Sequence, residues 1–265
     1  MTQAAGQVSA RFHAEVYEIR ISNPARYNAI SMRMWEQLAQ LLEQADRDDA
    51  VRVVVLTGEG KRAFASGADI SEFDQFRSNP ALVERFNHAV HAATRALATC
   101  RHPTVALIRG ICMGGGMSVA QACDVRYCAE DARFRMPAGQ MGIGYEPEDI
   151  RHLVAVVGAA RAADLFYTAR TFFGREAERM GYVQECFSVE DFEALSQARV
   201  AAVSRMAPLT LRAFKLALRQ IRDAAGDAPD AGAVNAAFLA CFHSADYLEG
   251  QRAFRERRQP SFEGR

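Results

Sequence analysis

The chain lacks net charge and long apolar runs, and it has almost no lysine. Its 265 residues include 32 Lys+Arg and 32 Asp+Glu, so the formal net charge is zero. The strong basic bias of proteins whose main partner is nucleic acid or an anionic membrane is absent. No apolar run reaches the roughly 18 residues of a membrane-spanning helix, and the first residues do not resemble a signal peptide. We therefore expect a cytoplasmic protein with neither nucleic acid nor membrane as a partner.

The cysteines show no metal-binding or disulfide pattern. None of the six lies in C-x-x-C spacing, and most are found in apolar segments. This favours buried free thiols over a disulfide framework or a zinc site, and we expect no metal. Among the cations only Lys61 and Lys215 are lysines, so arginine guanidinium groups are expected wherever the protein holds an anion.

Hydrophobic patterning predicts strands that alternate with helices in the first half of the chain. Val51–Leu56 is rich in valine, which is typical of a strand buried on both faces. Apolar residues at helical spacing after Ser31 predict a helix with that serine as its N-cap. The predicted strands cover residues 14–21, 51–56, 104–108 and 125–128, and a long helix covers 80–100. Strands connected by helices indicate an α/β fold with right-handed crossovers.

The second half of the chain is different. From about Asp149 onward the spacing is almost only helical, and no convincing strand is present. The helical segments span residues 160–170, 190–206, 209–225 and 231–246. Because no repeat or flexible linker separates them from the rest, we expect these helices to pack on the α/β part. The predicted division is a core of residues 1–200 and a helical region of residues 201–265.

Two glycine-containing segments follow predicted strands. In residues 57–70, small side chains from Ala65 to Ala68 let a ligand approach the backbone, where an amide can donate a hydrogen bond. In residues 110–118, three consecutive glycines open a helix whose first N–H groups are unpaired. The first segment alone is equally compatible with an ordinary tight turn. The second does not match the dinucleotide-binding pattern in its usual first-strand context.

Taken together, in this order and with about 45 residues between them, the two segments resemble the crotonase superfamily, also called the enoyl-CoA hydratase/isomerase family. The resemblance extends to Asn23–Ile30, His102-Pro103, Cys123-Asp124 and residues 246–260. It implies a spiral of repeated β-β-α units. It also implies a C-terminal helical region that assembles the chain into a homotrimer or a hexamer.

The resemblance further implies an acyl-CoA substrate, with coenzyme A as part of the substrate and no separate cofactor. The thioester oxygen would lie between the N–H groups of Ala68 and Gly115, which would stabilise an enolate or a tetrahedral oxyanion. A C-terminal cation, Arg257, would lie near the nucleotide phosphates, often those bound by an adjacent subunit. The other implied contacts to CoA or substrate are Arg26, Ala29, Ser66, Gly67, Asp69, Ile70 and Gly114.

The sequence departs from the family at the two glutamates of hydratases. One should lie three residues after the central glycine and the other just after a later proline, but these positions are Ser118 and Ala138. Without both carboxylates, the acid/base pair that adds water to an enoyl double bond is missing. The simple isomerase that uses the second glutamate is disfavoured for the same reason.

Glu146 and His91 offer replacement chemistry. Glu146 lies where dienoyl-CoA isomerases and 4-chlorobenzoyl-CoA dehalogenase carry a catalytic aspartate, and His91 matches the catalytic histidine of the dehalogenase. Three functions therefore stay open: a double-bond isomerase using Glu146, a covalent hydrolase or dehalogenase using both residues, and a CoA-binding pseudoenzyme. Ala138 replaces the dehalogenase's tryptophan, which weakens the second. Glu146 is equally compatible with a helix cap, and His91 with a surface helix residue.

Overall fold

The structure, a computed structural model, describes residues 6–72, 79–223 and 228–265. In this part of the chain ten strands form two sheets. The larger sheet has the order β1-β2-β3-β5-β7-β10 and the smaller the order β4-β6-β8-β9. The strands are β1 (Gln7–His13), β2 (Val16–Ser22), β3 (Val53–Gly58), β4 (Ala63–Ala65), β5 (Thr104–Ile108), β6 (Ile111–Met113), β7 (Val125–Ala129), β8 (Arg133–Arg135), β9 (Phe172–Phe173) and β10 (Glu185–Phe187).

The two sheets are built by a repeating unit. Consecutive strands β3 and β4, β5 and β6, and β7 and β8 each place one strand in the larger sheet and the next in the smaller, and a helix follows. Neighbouring strands are parallel except for the outer pairs β1·β2 and β8·β9. The spiral of β-β-α units expected from the sequence is therefore confirmed.

Helices cover the sheets and form most of the C-terminal part. Ser31 caps the first of them, since its Oγ accepts a hydrogen bond from Met34 N at 3.4 Å, as predicted. The described helices are α1 (Met32–Arg47), α2 (Pro80–Thr99), α3 (Gly115–Ala122), α4 (Ala138–Met141), α5 (Pro147–Val157), α6 (Ala159–Thr168), α7 (Gly174–Met180), α8 (Phe192–Ser204), α9 (Pro208–Arg222), α10 (Ala231–Phe242) and α11 (Ala245–Glu256). Short 3₁₀ helices cover Pro24–Arg26 and Ile70–Glu72.

One hydrophobic core joins both sheets to the first helices. Leu56 of the larger sheet, Phe64 and Phe134 of the smaller, Trp35 of α1 and Met117 of α3 belong to the same cluster, and none of these side chains is accessible to solvent. Burial of this apolar surface fixes the strand ends and the starts of α1 and α3 relative to one another. The segments that follow β4 and β6 are thereby held in place.

The sequence analysis gave ranges for four of the ten described strands, β2, β3, β5 and β7, and missed the other six. β4, β6 and β8 have three residues each, too few for a period to be recognised. β1 pairs with β2, but all of its side chains except Val8 are exposed, so it carries no hydrophobic pattern. β9 and β10 lie in the part predicted to be only helical, and β10 pairs in parallel with β7. With two and three residues, these strands are too short for a period to be recognised. The prediction of no strand after Asp149 was wrong for this reason.

The C-terminal helices begin within two residues of their predicted starts, but one predicted helix is divided. The predicted helix over residues 231–246 is two helices, α10 and α11, because Ser244 caps a new start by accepting a hydrogen bond from Tyr247 N at 3.1 Å. Lys215 connects α9 to the core: its Nζ lies 2.7 Å from Asp124 Oδ2 and donates to the His102 carbonyl at 2.9 Å. Residue 200 lies inside α8, and the division there stays a prediction.

Five of the six cysteines are buried and Cys241 is partly buried, and all six are free thiols. The burial expected from their apolar neighbours is confirmed. Across the described residues, no helix combines the length and the apolar character needed to cross a membrane. The same residues contain no group of histidine, cysteine, aspartate and glutamate that could hold a metal ion.

Candidate active site

The segment after β4 is fixed by the backbone of Ile30. Ile30 N donates to the Gly67 carbonyl at 2.8 Å, and Asp69 N donates to the Ile30 carbonyl at 2.9 Å. Between these two bonds, the Ala68 N–H has no acceptor among the described residues. An amide held on both sides in this way is a preorganised hydrogen-bond donor.

The start of α3 lies directly against this segment. Gly67 (φ +119°) and Gly114 (φ +48°) adopt left-handed backbone conformations that favour glycine. A Cβ on Gly67 would lie 3.3 Å from the Met113 carbonyl oxygen, and a Cβ on Gly115 would lie 3.4 Å from Ala68 N. The structure thus brings the backbones of Ala68 and Gly115 together. Two neighbouring main-chain N–H groups can stabilise one oxyanion. Their catalytic role stays a prediction.

The two amides adjoin a cavity of about 460 Å³. Trp35 of α1 and Val83, Phe86 and Val90 of α2 form part of its wall, and Met141 lies at the end of α4. These side chains are apolar, as expected for a site that takes a hydrocarbon chain. A cavity of this size and character is compatible with the acyl group of a thioester.

Most of the predicted substrate contacts line this cavity. They are Ser66, Gly67, Ala68, Ile70, Gly114, Gly115 and Glu146. Ser118 and Ala138 line it as well, and their correspondence to the two hydratase glutamates stays a prediction. The wall therefore has a hydroxyl and a methyl group at these two positions, and any acid/base chemistry has to come from elsewhere.

The remaining predicted contacts are not among the residues that line the cavity. Arg26 Nη1 forms an ion pair with Asp69 Oδ1 at 2.6 Å. Ala29 is buried, and its carbonyl accepts a hydrogen bond from Asn23 Nδ2 at 2.9 Å. Arg257 is exposed at the end of α11, with φ +53°. Their contacts to CoA stay predictions.

Glu146 occupies the N-cap position of α5 without capping the helix through its side chain. No hydrogen bond joins its carboxylate to the amides of the first turn, although Pro147 follows directly and marks the helix start. The side chain is exposed and lines the cavity. The capping role that the sequence also allowed is therefore not what this carboxylate does in the structure.

His91 lies on α2 but faces another acidic residue. Its Nε2 is 3.5 Å from Glu148 Oε2, and His91 is not among the described residues that line the cavity. Arg151 lies on the same carboxylate at 3.0 Å. The structure thus brings Glu146 to the cavity and leaves His91 beside Glu148, and a catalytic role of His91 stays a prediction.

Asp149 is a cavity residue that the sequence analysis did not identify. It is only 7% exposed, and its Oδ1 is buried without a hydrogen-bond partner in the described part of the chain. Burial raises the pKa of Asp149 to about 6; the carboxylates of Glu148 and Glu146 add to this effect, and His91 opposes it. The signal was present in the sequence, because residues 146 and 149 share one face of a helix start.

Tyr145 is a further polar residue of the cavity wall, and its hydroxyl lies near Gly114. A Cβ on Gly114 would lie 3.8 Å from the tyrosine hydroxyl. The ring packs edge-on against Phe166, with 5.3 Å between centroids. Burial raises the pKa of Tyr145, Asp149 raises it further, and a hydrogen bond with Ser118 opposes the rise. Tyr145, Ser118 and Asp149 therefore lie next to one another on the cavity wall.

The raised pKa of Asp149 predicts a pH-dependent stability. The folded protein binds this proton more tightly than the unfolded chain, whose value is the ordinary 3.8, so protonation favours folding at low pH. That contribution is lost as the pH rises from about 4 through about 6. We expect Asp149→Asn to raise the free energy of unfolding by about 1–2 kcal/mol at pH 7 and to leave it nearly unchanged at pH 4. Urea denaturation across this range measures the difference, and equal stability at pH 7 would contradict it.

The chain matches the family model described as "Enoyl-CoA hydratase/isomerase" over residues 11–265. It is 31% identical over 222 residues to the peroxisomal Delta(3,5)-Delta(2,4)-dienoyl-CoA isomerase of Arabidopsis thaliana, covering 79% of each chain. It is 30% identical over 250 residues to the short-chain-enoyl-CoA hydratase of Clostridium acetobutylicum, covering 92% of this chain and 93% of the relative.

The solved structures agree with this relationship. The crystal structure of an enoyl-CoA hydratase/carnithine racemase from Magnetospirillum magneticum superposes with a TM-score of 0.92 at 28% identity. The match covers 99% of this chain and 97% of the other. With the family match spanning nearly the whole sequence and the spiral fold in common, this chain belongs to the enoyl-CoA hydratase/isomerase family, the crotonase superfamily.

Proposed function

We propose that this protein is an acyl-CoA double-bond isomerase that uses Glu146 to move a proton. One observation carries the proposal. Glu146 lines the same cavity as the Ala68 and Gly115 amides, whereas Ser118 and Ala138 offer no carboxylate there. A hydratase needs an acid/base pair at those two positions, and an isomerase needs a group that carries a proton from one carbon to another.

The reaction would proceed through a dienolate. Glu146 takes a proton from the carbon next to the thioester, and the C–H electron pair moves toward the carbonyl oxygen. The N–H groups of Ala68 and Gly115 donate to this oxygen while it carries negative charge. Return of a proton to a more distant carbon restores the thioester, with the double bonds shifted and no atom gained or lost. The reaction class thus requires no oxidant and no metal.

One relative supports this reaction class: the Arabidopsis thaliana protein is named as a dienoyl-CoA isomerase. The C. acetobutylicum relative is named as a short-chain-enoyl-CoA hydratase, and the choice between the two activities rests on the cavity wall. The CoA part of the substrate would be held by the backbone near Ser66 and by Arg257, and the active form would be a cytoplasmic homotrimer or hexamer. The covalent hydrolase is less well supported, because His91 lies against Glu148 rather than in the cavity.

Replacing Glu146 by glutamine should abolish isomerisation. General acid/base groups contribute about 10²- to 10⁴-fold, so we expect at least a 100-fold loss of deuterium exchange at the substrate's α carbon in D₂O. Exchange is measured by mass spectrometry with 3,5-dienoyl-CoA, and CoA affinity by calorimetry. The affinity should survive, since the exposed Glu146 side chain is isosteric with glutamine.

Glu148→Gln is the matched control, because Glu148 is two residues away and lies outside the set of cavity-lining residues described. The Glu148→Gln variant should exchange the substrate's α hydrogen at the wild-type rate. Unchanged exchange in Glu146→Gln would overturn the proposal. Acyl-CoA binding by the wild-type protein without exchange or turnover would instead favour the CoA-binding pseudoenzyme.

A further inference from the structure

Asp149 is a buried carboxyl group of the cavity that the proposed reaction leaves unused. More than nine tenths of the residue is buried, it lines the cavity, and its Oδ1 has no hydrogen-bond partner among the described residues. A buried polar atom left without a partner destabilises the fold, so such atoms point to a functional requirement. The protein keeps this carboxyl group in a wall to which Trp35, Val83 and Phe86 contribute apolar side chains.

The surroundings of Asp149 hold it in position. Gln121 of α3 donates from Nε2 to the Asp149 backbone carbonyl at 2.9 Å, which fixes the first turn of α5 against the helix that begins at Gly115. Glu146, three residues earlier, lies on the same face of that turn. Two carboxyl groups are thereby directed to one cavity from a single rigid helix start.

We infer that Asp149 is the second proton carrier of this site: it donates a proton to the distal carbon of the dienolate after Glu146 has taken one from the α carbon. The inference rests on the proposed isomerase function. In this step the Asp149 O–H bond breaks, a C–H bond forms at the distal carbon, and the electrons leave the thioester oxygen. Glu146 then holds a proton and Asp149 a negative charge. Transfer of that proton back to Asp149, directly or through water, completes the cycle.

The electrostatics of the cluster fit this division of roles. Charges on several elements act on Asp149. Glu148 on α5 and Glu146 at the N-cap of α5 favour the protonated form of Asp149, and His91 on α2 opposes them. The neutral neighbours Tyr145 and Ser118 add no charge. A carboxyl group with a pKa near 6 holds a proton for a substantial part of the time close to neutral pH, as a general acid requires. Paired carboxyl groups in unlike environments are a recurring solution for such chemistry.

Deuterium partitioning tests the role. Asp149→Asn has nearly the same shape, and we expect it to lose at least 100-fold in conversion of 3,5-dienoyl-CoA while still exchanging the α hydrogen in D₂O. Glu146→Gln should lose both the conversion and the exchange of the α hydrogen. Asp149→Glu should recover part of the conversion. Glu43→Gln, which changes an exposed carboxylate of α1 that pairs with Arg47, should resemble the wild type. Full conversion by Asp149→Asn, or loss of α exchange together with conversion, would overturn the inference.

A second measurement does not depend on turnover. In protein labelled with ¹³C at aspartate carboxyl groups, NMR should show one signal titrating near pH 6 that Asp149→Asn removes and Glu148→Gln retains. Saturation with hexanoyl-CoA, which cannot isomerise, should shift this titration. If it does not, Asp149 does not face the acyl group and the inference fails, even for an active enzyme. A shift in a protein that converts no enoyl or dienoyl thioester would instead refute the isomerase function and leave Asp149 as a titrating group of the acyl site.

Discussion

Gly116→Ala is expected to disable the site and to destabilise the fold. The Cβ of an alanine here would lie 2.2 Å from the Ala65 carbonyl oxygen and 3.0 Å from the Ala65 Cβ. Both neighbours belong to the end of β4, which cannot move without displacing Ala68. The methyl group therefore pushes apart the two segments that carry the Ala68 and Gly115 amides.

We expect a loss of about 3 kcal/mol in the free energy of unfolding, since the contact is with backbone rather than with a flexible side chain. Displacement of one oxyanion donor adds a loss of about 100-fold or more in kcat/KM. Urea denaturation and turnover of a dienoyl-CoA measure the two effects separately. Wild-type activity in this variant would show that the close approach at Gly116 does not position the amides.

Gly139→Ala is the matched control for this substitution. A Cβ on Gly139 would meet nothing within 4 Å, and the residue is exposed within the short helix α4. Alanine is up to about 1 kcal/mol more favourable than glycine inside a helix, so stability should be unchanged or slightly raised. The comparison isolates the effect of the crowded position from that of adding a methyl group.

Trp35→Ala should have an effect of similar size for a different reason. Trp35 is fully buried, and it belongs both to the central core and to the cavity wall. Its Cζ2 would be 3.0 Å from a Cβ on Gly115, so the indole ring packs directly beneath the amide pair. Removal of a buried aromatic side chain costs about 3–5 kcal/mol, because it leaves a cavity as well as losing transfer free energy.

The activity of Trp35→Ala tests whether the ring supports the amide pair. We expect kcat/KM for an acyl-CoA to fall more than the affinity for free CoA, because the support lies under the thioester end of the site. Trp35→Phe keeps an aromatic ring in that place and should lose less of both stability and activity. Equal losses in the two variants would mean that the ring fills volume without positioning Gly115.

Much of the architecture was predictable because its signals are local. The valine-rich run at β3 and the Ser31 cap of α1 each depend on a few neighbouring residues, and each appears in the structure as expected. The two glycine segments were also recognisable, because backbone amides exposed beside a strand require small side chains. Their order along the chain indicated the family, and the family match over residues 11–265 agrees.

The remaining features depend on contacts between distant segments. The short strand β10 exists because β7 offers it a hydrogen-bonding edge, not because of its own pattern. Asp149 is buried through the packing of α5 on α3, where Gln121 meets its backbone. His91 faces Glu148 because α2 passes beside that helix. Sequence spacing could suggest each of these residues, but it could not tell which carboxyl group faces the cavity.

The way Ile30 holds Ala68 has a consequence for how such a site evolves. The donor is a main-chain amide fixed by two main-chain bonds, so most substitutions at position 68 or 30 would leave it in place. Side chains around the cavity can then be substituted. A carboxyl group can be lost from one wall and gained on another without displacing the Ala68 N–H group. Substitutions at Ser118, Ala138, Glu146 or Asp149 would therefore change the chemistry of the cavity wall and leave this main-chain donor in place.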